Sequence, residues 1–121
     1  MIDVKYNFNK AFEEITPRSN RYINRCFEIS FKILKEGKIK KFINGPVSKK
    51  TFLKKNYFGI TEYISNKFDI KKSAMLIFNN KLSVSPLTTH VPLKFVSKKI
   101  NKKIITEKIE LIDAFYKKFY K

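Results

Sequence analysis

The stretch AMLIFNNKLSVSPLTTHVPL, residues 74–93, decides the fold class predicted from this sequence. Residues 74–78 form a continuous apolar run of strand length, and residues 82–85 alternate between apolar and polar side chains. Asn79 and Asn80 form a turn between them, and so short a connection predicts an antiparallel hairpin. The rest of the stretch is a loop fixed by Pro86 and Pro92. We therefore expect at least part of a sheet here.

Helices are predicted on both sides of this hairpin. Ser19 or Asn20 is the expected N-cap of a helix over residues 20–36, and Gly37 is its expected stop. The secondary structure of residues 1–16 is ambiguous from the sequence. Residues 41–44 are expected to form a brief buried strand. Further helices are expected over residues 48–55, 61–68, 93–99 and 102–119. The alternation of helices and strands predicts an α/β class for one domain covering residues 1–121.

The net charge of +17 favours either an anionic partner or a strongly solvated surface. Lysine supplies 24 of the 27 cationic side chains, and Arg18, Arg21 and Arg25 are the remaining three. A selected phosphate-binding patch favours arginine, whose planar fork contacts phosphate through two bonds. The lysines are also scattered along the whole chain, so we favour a solvated surface over a nucleic-acid partner.

The single cysteine excludes an internal disulfide and is typical of a reducing cytoplasm. Cys26 falls on the apolar stripe of the first predicted helix, where we expect a small buried side chain rather than a nucleophile. The N-terminus has no uninterrupted apolar segment of signal-peptide type, and no apolar run has the length of a membrane span. The sequence therefore predicts a soluble cytoplasmic protein without a membrane partner.

Three short segments carry unusual residues. NGPVSK, residues 44–49, stands where a strand is expected to lead into a helix. Backbone N–H groups and a lysine there can face an anion, which makes Gly45, Pro46 and Lys49 candidates for cofactor binding. The segment lacks both the phosphate-loop spacing and the dinucleotide glycine triplet. Alone, the segment is better explained as an ordinary Gly-Pro turn, because such turns are common.

The other two segments are GITEY, residues 59–63, and TTHVPL, residues 88–93. Thr61 and Glu62 have the chemistry of a helix start, the first as a cap and the second as a carboxylate favoured by the helix dipole. His90 is the only histidine, and one histidine alone does not make a metal site. Its position in a proline-fixed loop after a strand nevertheless favours a functional role.

The order and spacing of GPVSK, GITEY, the hairpin and TTHVPL closely resemble the central region of the 4-hydroxythreonine-4-phosphate dehydrogenase family, from about Ser19 onward. The resemblance implies a central segment of a longer two-domain enzyme. It also implies part of a fold like that of the isocitrate and isopropylmalate dehydrogenases, with helices around a short mixed sheet. The family works as a homodimer, with its active site in a cleft at the dimer interface.

The resemblance also implies the chemistry. The family oxidises 4-phosphohydroxy-L-threonine with NAD or NADP, and the product loses carbon dioxide on the route to pyridoxal phosphate. A divalent metal (Zn, Mg or Co) held by three histidines polarises the reacting oxygen. His90 matches one of those ligands, and Thr89, Thr61 and Glu62 are further candidates beside it.

This sequence departs from the family pattern at Ile60, which stands where the family has a second histidine ligand. Isoleucine cannot coordinate a metal, and the third ligand belongs to a segment beyond residue 121. Glu62 could replace a ligand, or it could serve only the helix start. We therefore expect this chain alone to bind neither metal nor cofactor and to be inactive. The alternatives are a basic nucleic-acid-binding module and a non-catalytic dimerisation domain.

Overall fold

The computed structural model describes residues 1–54 and 56–120, and within them the regular structure is helical. The α-helices are α1 (Pro17–Lys35), α2 (Ile60–Lys67), α3 (Val96–Lys99) and α4 (Lys102–Phe119), with a 3-10 turn at Leu93–Phe95 directly before α3. The chain divides into two compact units, Met1–Asn56 and Tyr57–Lys121. We refer to them as unit 1 and unit 2.

Helix α1 begins at a capping box. The Ser19 N–H donates to Thr16 Oγ1 at 3.1 Å, and the Thr16 N–H donates to Ser19 Oγ at 3.0 Å. Pro17 occupies the first helical position, where its fixed φ suits the helix and its missing N–H is not needed. The helix ends at Lys35 with Glu36 as its C-cap, and Gly37 follows with φ of +72°. The predicted helix and its glycine stop are confirmed, with Thr16 as the N-cap instead of Ser19 or Asn20.

The core of unit 1 is aromatic and is built on one face of α1. Phe27 and Phe31 are buried, and so is Leu53. The Phe27 ring centroid lies 5.4 Å from that of Phe52 and 5.7 Å from that of Phe42. Such aromatic pairs add about 0.5–1.5 kcal/mol each beyond their buried area. The segments after α1 are therefore held against the helix by ring packing.

Unit 2 contains the other three helices. Tyr63 of α2 is its buried side chain among the described residues, and its ring contacts that of Tyr57 at 5.4 Å. Helix α4 is capped by Asn101, whose side chain accepts from the Ile104 N–H at 3.0 Å. The Tyr116 hydroxyl forms a hydrogen bond of 2.8 Å with Ser83 Oγ and so joins α4 to the predicted hairpin segment. The predicted helices over 61–68, 93–99 and 102–119 are confirmed.

The predicted α/β class, with helices around a short mixed sheet, is wrong for this structure. Within residues 1–54 and 56–120 the two expected strands reduce to one antiparallel bridge between Ile77 and Val84, with hydrogen bonds of 2.8 and 2.9 Å. The predicted antiparallel pairing of these two segments is present at this bridge. An isolated pair of strands is only marginally stable without a third strand or a covered face. Ile77 remains 60% exposed, so neither condition is met.

Two smaller predictions also fail. Residues 41–44 do not form the expected strand, although Phe42 packs on Phe27 as a buried position should. The expected helix over 48–55 is a single turn, in which Ser48 accepts from the Phe52 N–H at 2.9 Å; Lys55 lies outside the described residues. Without a neighbouring strand to pair with, residues 41–44 are held by side-chain packing alone. No described helix combines the length and the apolar character needed to cross a membrane.

Much apolar surface remains uncovered. The chain exposes 10623 Å². Two fully separate compact domains of the same combined size would expose about 8,200 Å² together. The chain therefore exposes more surface than two separate compact domains would, and this excess of exposed surface does not depend on how the two units are arranged. It includes side chains of α4 such as Ile109, which is 61% exposed.

Candidate functional site

The segments GITEY and TTHVPL meet in unit 2. The imidazole Nε2 of His90 lies 4.0 Å from the point that a Cβ atom on Gly59 would occupy. Gly59 is the N-cap of α2 and has an extended backbone. The loop after the hairpin segment thus delivers the only histidine to the start of α2. Two motifs separated by about thirty residues in sequence form one local site.

The position of His90 is fixed by its backbone and by an aromatic neighbour. Its φ of +57° is in the left-handed region, which non-glycine residues adopt rarely and which concentrates at functional sites. Its ring stacks on Phe58, with the centroids 5.6 Å apart and the planes 17° apart. Sequence reasoning missed Phe58. Its place directly before Gly59 is the only signal that could have indicated it.

The residues at the start of α2 have helix-start roles in this structure. The Gly59 N–H donates to Glu62 Oε2 at 2.7 Å, and the Gly59 carbonyl accepts from the Tyr63 N–H at 3.2 Å. Thr61 is exposed in the first turn and is not the cap, because Gly59 takes that position. Ile60, the first residue of α2, is half-buried. The carboxylate of Glu62 is therefore engaged with backbone rather than free.

The described residues do not fit a complete metal centre. Within residues 1–54 and 56–120, no three side chains of His, Cys, Asp or Glu converge closely enough to hold an ion. His90 offers one imidazole, and the neighbouring Ile60 offers no donor atom. A structural or catalytic metal normally takes three or four protein ligands. The arrangement can therefore present one nitrogen ligand and cannot by itself bind a metal tightly.

The third predicted segment, NGPVSK, lies in unit 1. Pro46, Val47 and Ser48 line a cavity of about 510 Å³ beneath the N-terminal residues, together with apolar side chains such as Phe8 and Ile23. Lys49 is exposed and is not among the residues that line this cavity. Gly45 has no neighbouring atom within 4 Å of its would-be Cβ, so no contact within the chain requires a glycine here. The cofactor assignment to Gly45, Pro46 and Lys49 stays a prediction.

Comparison with known proteins gives a consistent result. The family profile described as pyridoxal phosphate biosynthetic protein PdxA matches residues 1–121. A 4-hydroxythreonine-4-phosphate dehydrogenase of Sulfurihydrogenibium sp. is 31% identical over 97% of this chain and 36% of its own length. Those of Bacteroides thetaiotaomicron and Aquifex aeolicus are 28% and 41% identical over 88% and 52% of this chain. No solved structure matches the chain.

These matches first define the class, an oxidoreductase family of pyridoxine biosynthesis. The chain belongs to the PdxA family, as the motifs predicted. It spans little more than a third of the length of the Sulfurihydrogenibium enzyme, and 29% and 20% of the other two relatives. The family is thereby established for the chain, whereas the whole enzyme's reaction is a separate question.

Proposed function

We propose that this chain is the central segment of a 4-hydroxythreonine-4-phosphate dehydrogenase, part of one domain of a longer enzyme, and that it contributes His90 as one metal ligand. The family match and the relatives' names support the reaction class. The meeting of His90 with Gly59 is the single observation that carries the site, because it joins the two motifs that resemble the family's ligand segments.

In the proposed enzyme the substrate is 4-phosphohydroxy-L-threonine and the oxidant is NAD or NADP. A divalent metal (Zn, Mg or Co) supplies Lewis-acid polarisation of the reacting oxygen when it is bound. This chain's own part is to hold the His90 ring in a fixed orientation through its left-handed backbone and its stack on Phe58. Glu62 fixes the start of α2 beside that ring. Such fixing lowers the cost of placing a ligand when the site is assembled.

The chain by itself is proposed to be inactive. One imidazole does not hold a metal, and the described residues bring no group of three ligating side chains together around it. Incubating the purified 121-residue chain with substrate, NAD or NADP, and each of the three metals should give no reduced cofactor above background. Sustained production of NADH or NADPH under these conditions would contradict the proposal.

A graft tests the role of His90 and of Ile60 together. The corresponding segment of the Sulfurihydrogenibium enzyme would be replaced by this chain, first unchanged and then with Ile60→His. Restoring a second imidazole next to the Gly59–His90 contact should raise metal affinity and turnover by at least about tenfold, the lower range for groups that tune metal sites. Ile64→His, one turn further along α2, is the matched control and should give no gain.

The outcomes separate the site from the family assignment. His90→Ala in the Ile60→His graft should abolish the gain, since the new imidazole then lacks its partner. If that variant keeps full turnover, His90 is not a ligand, although the family assignment stands. If Ile60→His and Ile64→His behave alike, the proposed ligand position is wrong.

We also propose that the assembled enzyme is a homodimer and that its assembly covers apolar side chains left exposed here. The excess of exposed surface supports this proposal, because single domains rarely leave large apolar areas uncovered. Light scattering at increasing concentration of the full-length grafted enzyme tests it. A monomer at all concentrations would contradict it.

A further inference from the structure

Helix α1 carries a cationic face opposite its buried aromatic side chains. Arg18, Arg21 and Arg25 are spaced three and four residues apart, so their side chains share one face of the helix. Phe27 and Phe31 lie on the opposite face, in the core of unit 1. All three arginines are exposed. The packing that buries the aromatic rings therefore turns the guanidinium groups outward together.

These three arginines line a cavity of about 410 Å³ in unit 1. The N-terminal segment forms its other wall and adds a fourth cation, Lys5, with Asn7 beside it. Tyr6 is held against α1 because its ring stacks on that of Tyr22, with the centroids 4.8 Å apart. Arg18 lies over the Tyr6 ring at 5.8 Å. The cavity thus has four cations around a fixed aromatic pair.

The choice of arginine is informative in this chain. Lysine supplies 24 of the 27 cationic side chains, and every arginine of the chain lines this one cavity. An overall preference for lysine in the composition explains the scattered positive charge. It does not explain why three arginines lie on one helix face. Arginine differs from lysine in its rigid planar fork, which binds phosphate through two parallel hydrogen bonds.

None of the ion pairs found among residues 1–54 and 56–120 involves these three arginines. Like charges three or four residues apart repel, and Arg18 lies in the first helical turn, where the helix dipole disfavours a cation. The ion pairs among the described residues lie elsewhere and join Lys38–Glu36, Lys72–Glu107 and Lys117–Asp113. A bound anion would relieve both unfavourable interactions.

Tyr22 lines the cavity with a neutral phenol. A hydrogen bond with the Cys26 side chain raises the pKa of the Tyr22 phenol, with smaller contributions from the Coulombic interaction with Cys26, burial and Asp3. The phenol therefore stays protonated at neutral pH. Asn7 supplies an uncharged hydrogen-bonding group beside the four cations. The lining is that of a site for an oxyanion with several acceptor atoms.

We propose that this cavity binds a small phosphorylated molecule bearing a diphosphate group, held by Arg18, Arg21 and Arg25. The volume falls in the range of small-molecule sites rather than extended grooves. Tyr6 and Tyr22 stack on each other and so do not offer separate faces to successive bases, as a single-stranded nucleic acid would require. The site does not depend on the proposed dehydrogenase function.

Calorimetric titration of the full chain with inorganic pyrophosphate tests the site. Saturable binding of one molecule per chain is expected. Replacing all three arginines by glutamine should weaken binding by at least about a hundredfold, since each lost charge-assisted bond contributes about tenfold or more. Replacing Lys98, Lys99 and Lys103 of unit 2 by glutamine removes the same charge and should change affinity by about twofold or less, as expected for exposed charges outside the site. Circular dichroism confirms that each variant retains its helices.

Two further titrations separate arginine recognition from net charge. The triple Arg→Lys variant keeps the charge but loses the fork, and should still bind about tenfold more weakly. Wild-type affinity in that variant, or equal losses in the arginine and lysine sets, would overturn the assignment. Absence of saturable pyrophosphate binding would do the same. A short oligouridylate that binds more tightly per phosphate than pyrophosphate would overturn the small-molecule assignment in favour of a nucleic-acid strand.

Discussion

Units 1 and 2 bury their apolar side chains to different degrees. Unit 1 has three buried apolar side chains, Phe27, Phe31 and Leu53, which gather around one face of α1. Among the described residues of unit 2, only Tyr63 is buried to the same extent, and its longest helix leaves Ile109 61% exposed. The difference indicates that unit 1 is stabilised by its own core. Unit 2 is held mainly by caps, single hydrogen bonds and local ring contacts.

The largest expected effect comes from removing the centre of the unit 1 core. Phe27→Ala deletes a ring that contacts Phe31, Phe42 and Phe52 at 5.4–5.7 Å. It should lower the free energy of unfolding by about 3–5 kcal/mol. Denaturant titration followed by circular dichroism measures the loss. Ile109→Ala in unit 2 is the matched control and should change stability by about 0.5 kcal/mol or less. Equal losses would break the comparison between the units.

The next effect concerns the end of α1, where Gly37 has φ of +72° and open space around its would-be Cβ. Gly37→Ala should cost about 1–2 kcal/mol, purely from the left-handed backbone. Gly45 also has open space but no positive φ, so Gly45→Ala is a control for the change in side chain alone. It should be neutral or slightly stabilising, because alanine restricts the unfolded chain. Thermal unfolding of both variants gives the comparison. Equal shifts would show that Gly37 is not a helix stop.

Sequence reasoning located the helices because their signals are local. Caps, a glycine stop and a period of 3.6 residues act within one or two turns, and the bounds of α4 were predicted without error. The sheet was not predictable in the same way. Residues 74–78 have strand composition, but a strand also needs neighbours, and the structure supplies one bridge at Ile77. Whether distant segments pair is not a property of either segment alone.

The same contrast between local signals and contacts of distant segments applies to the candidate site. TTHVPL and GITEY were recognised as motifs, since their letters and spacing are local. Their proximity at Gly59 and His90 was implied only by the family resemblance, and the structure shows it. The stack of Phe58 on His90 and the cavity around Arg18, Arg21 and Arg25 depend on three-dimensional packing. The spacing of the three arginines places them on one face of α1, but no pattern in the sequence brings the N-terminal segment against that face.

The caps of α1 and α4 provide a finer test of the two units. Thr16→Ala removes one side of a part-buried capping box and should cost about 1 kcal/mol. Asn101→Ala removes a single exposed cap bond and should cost about 0.5 kcal/mol, the lower end of the same range. Hydrogen exchange at the Ser19 and Ile104 amides reports each loss separately. A larger effect at Ile104 would reverse the ranking of the two units.

The smallest effect is expected on the exposed face of α4, and it bears most directly on what covers that face. Ile109→Lys removes little buried area, improves helix propensity and places a cation four residues before Asp113, so unfolding free energy should change by about 0.5 kcal/mol or less. Ala114→Lys adds the same charge at an exposed position of α4 about 140° round the helix from Ile109 and serves as the control.

Self-association gives the Ile109→Lys variant its diagnostic value. If a second copy covers this face, Ile109→Lys should weaken association in sedimentation experiments while Ala114→Lys leaves it unchanged. A loss of more than about 1 kcal/mol in the monomer would instead place Ile109 in a core of unit 2, since surface substitutions seldom cost so much. That result would contradict the difference between the two units. Unchanged association in both variants would locate the covering surface on another face of unit 2.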